Sequence, residues 1–222
     1  MSRDNLLTAL KTGKSSRNIY KKMGYSNWES LPATLKEVKQ IGNAVKGSVI
    51  YKGKDVSEKF IKILSKTGEL KKYKVIHFAT HGLAVPEVPE LSAIVLSLFK
   101  KERRGEDGYL RMPEIIQLKT RADFVNLSAC ETGLGKIYAG EGVVGLVQSF
   151  LIAGANGLSV SLWQVADVST MKFMIGVYSL VQKRKIGYNE AIRSMKLKFI
   201  HGFGKGKYKD PFYWAPFVYY GK

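Results

Sequence analysis

The sequence predicts an α/β protein of three layers, with a mostly parallel central sheet covered by helices on both faces. Three observations predict it. Short apolar runs alternate with segments of helical periodicity, the pattern of repeated strand–helix units. The runs Val75-Ile76-His77-Phe78-Ala79-Thr80 and Phe124-Val125-Asn126-Leu127-Ser128 are mainly apolar without alternation, as strands buried on both faces are. The 222 residues, 45% hydrophobic and 24% charged, make a globular chain able to bury a full core.

The first predicted helix opens at Leu31-Pro32, and Leu35, Val38, Ile41 and Val45 recur along it at helical spacing. Ser48 to Tyr51 reads as a short strand. Asp55 and Glu58 fit a capping box, in which a side-chain oxygen and a carboxylate three residues on satisfy free amides. Val56, Phe60, Ile63 and Leu64 form the buried stripe of that helix. Val75 to Thr80 is a strand and Ala93 to Phe99 a second. A charged turn then leads to an extended piece at Tyr109-Leu110, and Pro113 suits the first turn of a short helix. Phe124 to Ser128 is the third main strand, Glu141 to Ala153 an apolar helix and Leu158 to Trp163 the fourth strand. Helices follow over Asp167 to Gln182 and Tyr188 to Ile200, and the aromatic run Phe212 to Tyr220 reads as extended.

Charge divides the chain. The formal net charge is +18, but residues 75–182 carry 9 basic and 10 acidic side chains. Residues 1–74 carry 17 and 6, and residues 183–222 carry 10 and 2, so the excess lies in the flanks. Such flanks keep a protein soluble, or bind nucleic acid or an acidic protein. Tyr20, Tyr25 and Trp28 beside Arg17, Lys21 and Lys22 add some aromatic–basic interleaving, which favours the nucleic-acid option. The single cysteine excludes an internal disulfide framework and a thiolate-rich zinc site. No charge occurs between Glu141 and Asp167, but Gly154-Ala155-Asn156-Gly157 breaks that segment, which reads as a buried helix and strand with no membrane span. A cytoplasmic, reducing compartment is expected, with no metal and no cofactor.

Two strands run into reactive residues. The first leads to His81-Gly82 and the third to Ala129-Cys130. In open α/β sheets, ligands sit beyond the carboxyl ends of the strands, so parallel strands would bring both side chains to one rim. A thiolate attacks a peptide carbonyl, and an imidazole promotes the thiolate and protonates the leaving amine. The amides of Gly82 and Cys130 are the candidate donors to the oxyanion. His77, inside its strand, reads as a core or supporting histidine, and His201 as a group near a helix end. A lone cysteine is otherwise a small buried hydrophobe.

These blocks carry a family resemblance. His77-Phe78-Ala79-Thr80-His81-Gly82 and Leu127-Ser128-Ala129-Cys130-Glu131-Thr132-Gly133 look like the signature blocks of CHAT domains, caspase-like cysteine peptidases related to separase. The likeness continues through Gly140-Glu141-Gly142, Ala153-Gly154-Ala155, Ser161-Leu162-Trp163-Gln164-Val165-Ala166-Asp167 and Phe212-Tyr213-Trp214-Ala215-Pro216-Phe217-Val218. It covers roughly residues 31 to 221, which divides the chain into a basic N-terminal extension, 1–30, and a peptidase domain, 31–222. It implies a caspase–hemoglobinase α/β/α fold, Cys130 as nucleophile, His81 as general acid/base and a protein substrate. CHAT domains commonly follow tandem helical repeats, which implies a regulatory repeat protein or an activating partner. This chain itself has no 34-residue periodicity.

Asp167 is open to two readings. Separase has a similar Trp-x-Val-x-Asp run whose aspartate receives a P1 arginine, which implies a basic P1 residue here. Alternatively, Asp167 caps its own helix, accepting from the amides of Ser169 or Thr170. Glu141 is read as complementing a helix N-terminus, and Glu131 as a neighbour of the nucleophile with no assigned proton transfer. Thr12-Gly13-Lys14-Ser15 resembles the end of a phosphate loop, but Thr8 occupies the earlier glycine position.

Overall fold

The computed structural model describes residues 16–25, 28, 30–85, 88–99, 106–128, 141–163 and 165–221. In chain order the elements are α1 Ser16–Lys22, α2 Pro32–Ala44, α3 Glu58–Lys66, β1 Val75–Phe78, β2 Gly82–Leu83, β3 Ala93–Val95 and β4 Tyr109–Arg111. They continue as α4 Met112–Ile116, β5 Phe124–Leu127, α5 Glu141–Ile152, β6 Gly157–Ser161, α6 Asp167–Arg184, α7 Tyr188–Ile200 and β7 Phe217–Gly221. The main sheet has the order β1-β5-β6-β7; β1, β5 and β6 are parallel and β7 closes the edge antiparallel. A small antiparallel sheet, β2-β3-β4, follows directly from β1.

Strand alternation assigns the two faces. Ile76, Phe78, Val125, Leu127, Leu158 and Val160 face the layer of α3, α4 and α5. The helix α5 supplies buried Val143, Leu146, Val147 and Phe150 to that core, which is why the uncharged run is a core helix. Val75, Phe124, Phe217 and Tyr219 face the layer of α2, α6 and α7. There Phe124 stacks on Tyr188 with ring centres 3.9 Å apart, and Phe173 on Phe217 at 4.2 Å. Fully burying each of Phe124, Phe173 and Phe217 contributes about 1.5–3 kcal/mol of transfer free energy. The expected three-layer α/β/α architecture is therefore present. Gly154 holds φ +105° where the turn from α5 into β6 presses against the Thr120 carbonyl, a place without room for a side chain.

Several elements differ from the sequence reading. Ser48 to Tyr51 pairs with no strand among the described residues, and Val49, Ile50 and Tyr51 are 55%, 40% and 41% exposed. A cleft of about 680 Å³, lined by Tyr51 and Lys52 and by His77 and Thr80 of the β1 arm, lies between this segment and the sheet edge. The cap of α3 is Ser57, whose side chain accepts from the Phe60 amide; Asp55 lies in a separate 3-10 turn. Glu58 is instead buried, with its Oε2 accepting from the Gly108 amide at 2.5 Å. Ile61, not Ile63, is the buried isoleucine of α3, and Ile63 is 46% exposed. In α2 the buried positions are Glu37 and Ile41, while Leu35 is 43% exposed. The strand expected over Ala93 to Phe99 ends at Val95, and Phe212 to Tyr220 splits into a 3-10 turn at Pro211–Tyr213 and β7.

The helix α1 rests on the small sheet. Ile19 and Tyr20 share a cluster with Leu83, Val85, Leu91, Ala93 and Val95. Tyr20 stacks on Tyr109 at 3.8 Å and donates to the Leu91 carbonyl at 2.8 Å. No helix among the described residues is long and apolar enough to cross a membrane.

Candidate active site

The parallel strands β1, β5 and β6 send their carboxyl ends to one rim. His81 stands on the arm leaving β1 for the small sheet. Thr80 donates its hydroxyl to the Val95 carbonyl at 2.6 Å, and the Val95 amide donates to the His81 carbonyl at 2.9 Å. Two bonds thus hold the backbone on either side of the imidazole. The ring is 8% exposed and lies against the Trp28 indole, with ring centres 5.1 Å apart. Trp28 in turn donates Nε1–H to the Tyr109 hydroxyl at 3.2 Å.

Gly82 follows in β2, opposite Ile94. Because Val95 N–H bonds to His81, Gly82 occupies a non-hydrogen-bonded position of the β2–β3 ladder. Its N–H therefore points away from β3, as a donor to a bound group must.

Cys130 and Glu131 lie outside the described residues, and so does the side chain of Glu141. The strand leading to Cys130 is described up to Ser128, whose amide donates to the Phe78 carbonyl at 2.9 Å. Register relates the two arms. β1 pairs with β5 at Val75↔Phe124 through Phe78↔Leu127, an offset of 49 residues. His81 and Cys130 are separated by the same offset, so each follows its strand by three residues.

Behind this rim, on the α2/α6 face, lies a buried polar layer. His77, Asn126 and Ser159 occupy paired positions across β1, β5 and β6. The His77 Nδ1 is 3.0 Å from the Tyr178 hydroxyl of α6 and 3.3 Å from Asn126 Nδ2. Its Nε2 is 2.9 Å from Glu37 Oε1, close enough for an ion pair but not aligned as a hydrogen bond. That same Glu37 oxygen accepts from the Ser128 hydroxyl at 2.6 Å. Burial, and then the neighbouring Tyr188 and Glu37, push the Tyr178 phenol well above its ordinary range. His77 thus sits among three polar side chains of the described residues, Tyr178, Asn126 and Glu37. Glu37, Asn126 and Tyr178 were not singled out from sequence; the available signal was Glu37, a charge four residues before Ile41 on an otherwise apolar face.

Asp167 begins α6, but its carboxylate does not cap that helix. The amides of Ser169 and Thr170 bond to the Ala166 carbonyl, and Asp167 Oδ2 accepts from the Ala33 amide in the first turn of α2 at 2.7 Å. The α2 N-terminus has no cap from its own Leu31, so Asp167 supplies the missing acceptor from another element. His201 follows α7, with its amide bonded to the Leu197 carbonyl, and is exposed. Among the described residues no three His, Cys, Asp or Glu side chains cluster as a metal site would require.

No curated protein matches the chain. The CHAT domain model matches residues 2–222, essentially the whole length. With that match, and a three-layer sheet whose parallel strands lead to His81 and Cys130, the chain belongs to the CHAT domain family, a domain related to caspase-like cysteine peptidases.

Proposed function

We propose that this protein is a cysteine endopeptidase in which Cys130 is the nucleophile and His81 the general acid/base. The observation that carries this reading is the shared offset of 49 residues: neighbouring parallel strands, in register, lead to these two residues after equal lengths of chain. In the proposed reaction the Cys130 thiolate bonds to the carbonyl carbon of the scissile peptide. The displaced electron pair becomes an oxyanion, which the amides of Gly82 and Cys130 stabilise. His81 gives its proton to the departing amine, leaving a thioester. Water then loses a proton to His81 and attacks the thioester, releasing the acid and restoring the thiolate.

Asp167 is proposed to select a basic P1 side chain. One carboxylate oxygen is committed to Ala33, and the other has no hydrogen bond among the described residues. That leaves a single-point acceptor for lysine or arginine instead of a free bidentate one.

Peptide-library profiling of the wild type beside C130A tests the reading, with iodoacetamide labelling of Cys130 followed by mass spectrometry. Cleavage after Arg or Lys that disappears in C130A is expected. Folded wild type that cuts no library member, with Cys130 unlabelled, would overturn it. A second reading, favoured by the separation of charge along the chain, is a non-catalytic module that binds nucleic acid or an acidic protein through its flanks. Retention on heparin that falls steeply with salt, in a protein without peptidase activity, would select it.

A further inference from the structure

The carboxylate of Glu37 joins the two strand arms from behind. It comes from α2, it is fully buried, and one oxygen meets both the His77 ring of β1 and the Ser128 hydroxyl at the end of β5. His77 precedes His81 by four residues, and Ser128 precedes Cys130 by two. Ser128 is held on two sides, by Glu37 at its hydroxyl and by the Phe78 carbonyl at its amide.

This arrangement is costly. Removing a carboxylate from water carries a penalty that a good partner only partly offsets. The other Glu37 oxygen, Asn126 Oδ1 and Ser159 Oγ have no protein hydrogen-bond partner among the described residues. Apolar side chains at these sheet positions would pack against α6 without that penalty. The geometry of the layer does what apolar packing does not: it gives two neighbouring strand ends one shared carboxylate, hydrogen-bonded to Ser128 and 2.9 Å from the His77 ring.

We infer that Glu37 is a positioning residue that sets the spacing between the His81 arm and the Cys130 arm, an inference that rests on the peptidase reading above. Among the described residues the polar contacts of Glu37 are with Ser128 and His77. It acts through Ser128 on one strand and through His77 on the other. A misplacement of about 1 Å between reacting groups costs up to about 100-fold in rate, and loss of one anchor displaces an arm by a fraction of that.

The decisive variants are S128A, which removes one arm of the anchor, S128T, which restores a hydroxyl, and E37Q, which keeps the shape and removes the charge. Their kcat and KM are measured on folded protein well below each melting temperature. S128A and E37Q are expected to lose about tenfold in kcat with KM within about twofold of wild type, and S128T to recover most of the loss. A purely structural role would lower the melting temperature and leave kcat of the folded protein unchanged, which would overturn the inference. So would S128T performing no better than S128A. If E37Q does not fold, the Ser128 pair decides. If the wild type cleaves no library member, kcat cannot be read, and with Cys130 also unlabelled the peptidase reading fails by itself. Where Cys130 does label, its rate of labelling by iodoacetamide in S128A against wild type tests the anchor, and equal rates overturn it.

Discussion

The Glu58 carboxylate is 1% exposed beneath the turn at Gly108, and its environment makes it a pH-sensitive part of the fold. Burial, followed by the nearby Asp107 carboxylate, raises its pKa from 4.5 to about 7; the Gly108 amide and Lys62 oppose the rise, and Glu114 adds to it. The folded protein therefore holds this proton more tightly than the unfolded chain. Its stabilisation is complete below about pH 4.5 and is lost as pH rises towards 7. In thermal melts the wild type should lose ground against E58Q as pH goes from about 5 to about 8. Parallel curves for the two proteins would contradict the assignment. At Asp167 the same scale separates two roles. D167N keeps an acceptor for the Ala33 amide, so its melting temperature should stay near that of wild type while basic P1 selectivity falls. D167A should additionally lose about 1 kcal/mol, typical of a missing helix cap. Equal selectivity in wild type and D167N, read by library profiling, would remove Asp167 from substrate recognition.

Among the elements, α1 and the small sheet show how local composition and tertiary packing divide the work. Arg17, Lys21 and Lys22 make α1 look like a solvated basic helix, yet Ile19 and Tyr20 are 3% and 0% exposed on the sheet β2-β3-β4. The side chain of Arg17 also turns inward, donating Nε–H to the Asp107 carbonyl at 2.7 Å. Truncating Tyr20 to alanine removes a stacked ring and a buried hydroxyl bond, and should cost about 3 kcal/mol. Urea unfolding would show this as a lower midpoint at unchanged slope, and a midpoint equal to wild type would mean that α1 does not contribute to the core. The strand expected at Ser48 to Tyr51 makes the complementary point. Its residues favour extended backbone, but a strand also needs a partner edge, and a cleft lies between this segment and β1.

At the scale of the whole molecule, the charge map separates the basic flanks from the proposed site. The middle of the chain, which holds His81, Cys130 and Asp167, is close to neutral, and the basic excess belongs to residues before Val75 and after Gln182. Peptide cleavage should therefore change little between about 50 mM and about 300 mM salt, where screening would weaken any contact made through the flanks. A steep fall in kcat/KM for short neutral peptides over that range would place the basic flanks in substrate capture.

The sequence by itself determined the layered α/β architecture and the pair of strands that lead to the proposed dyad. Continuous apolar runs ending in His81-Gly82 and Ala129-Cys130 identify buried parallel strands, because strands covered on both faces have no polar side to display. Their spacing of 49 residues is the register later seen between β1 and β5. Only the tertiary structure decided what stands behind those strands. Helical periodicity reports which residues are apolar, so along α2 it marks the exposed Leu35 and leaves the buried Glu37 unmarked. A carboxylate in the core is explained only by partners distant in sequence: His77 and Ser128, 40 and 91 residues away. Likewise, Asp167 reads locally as a cap for its own helix, and the packing of α6 on α2 turns it towards Ala33. Patterns of period and spacing are properties of the chain, while the pairing of buried polar groups belongs to the assembled layers.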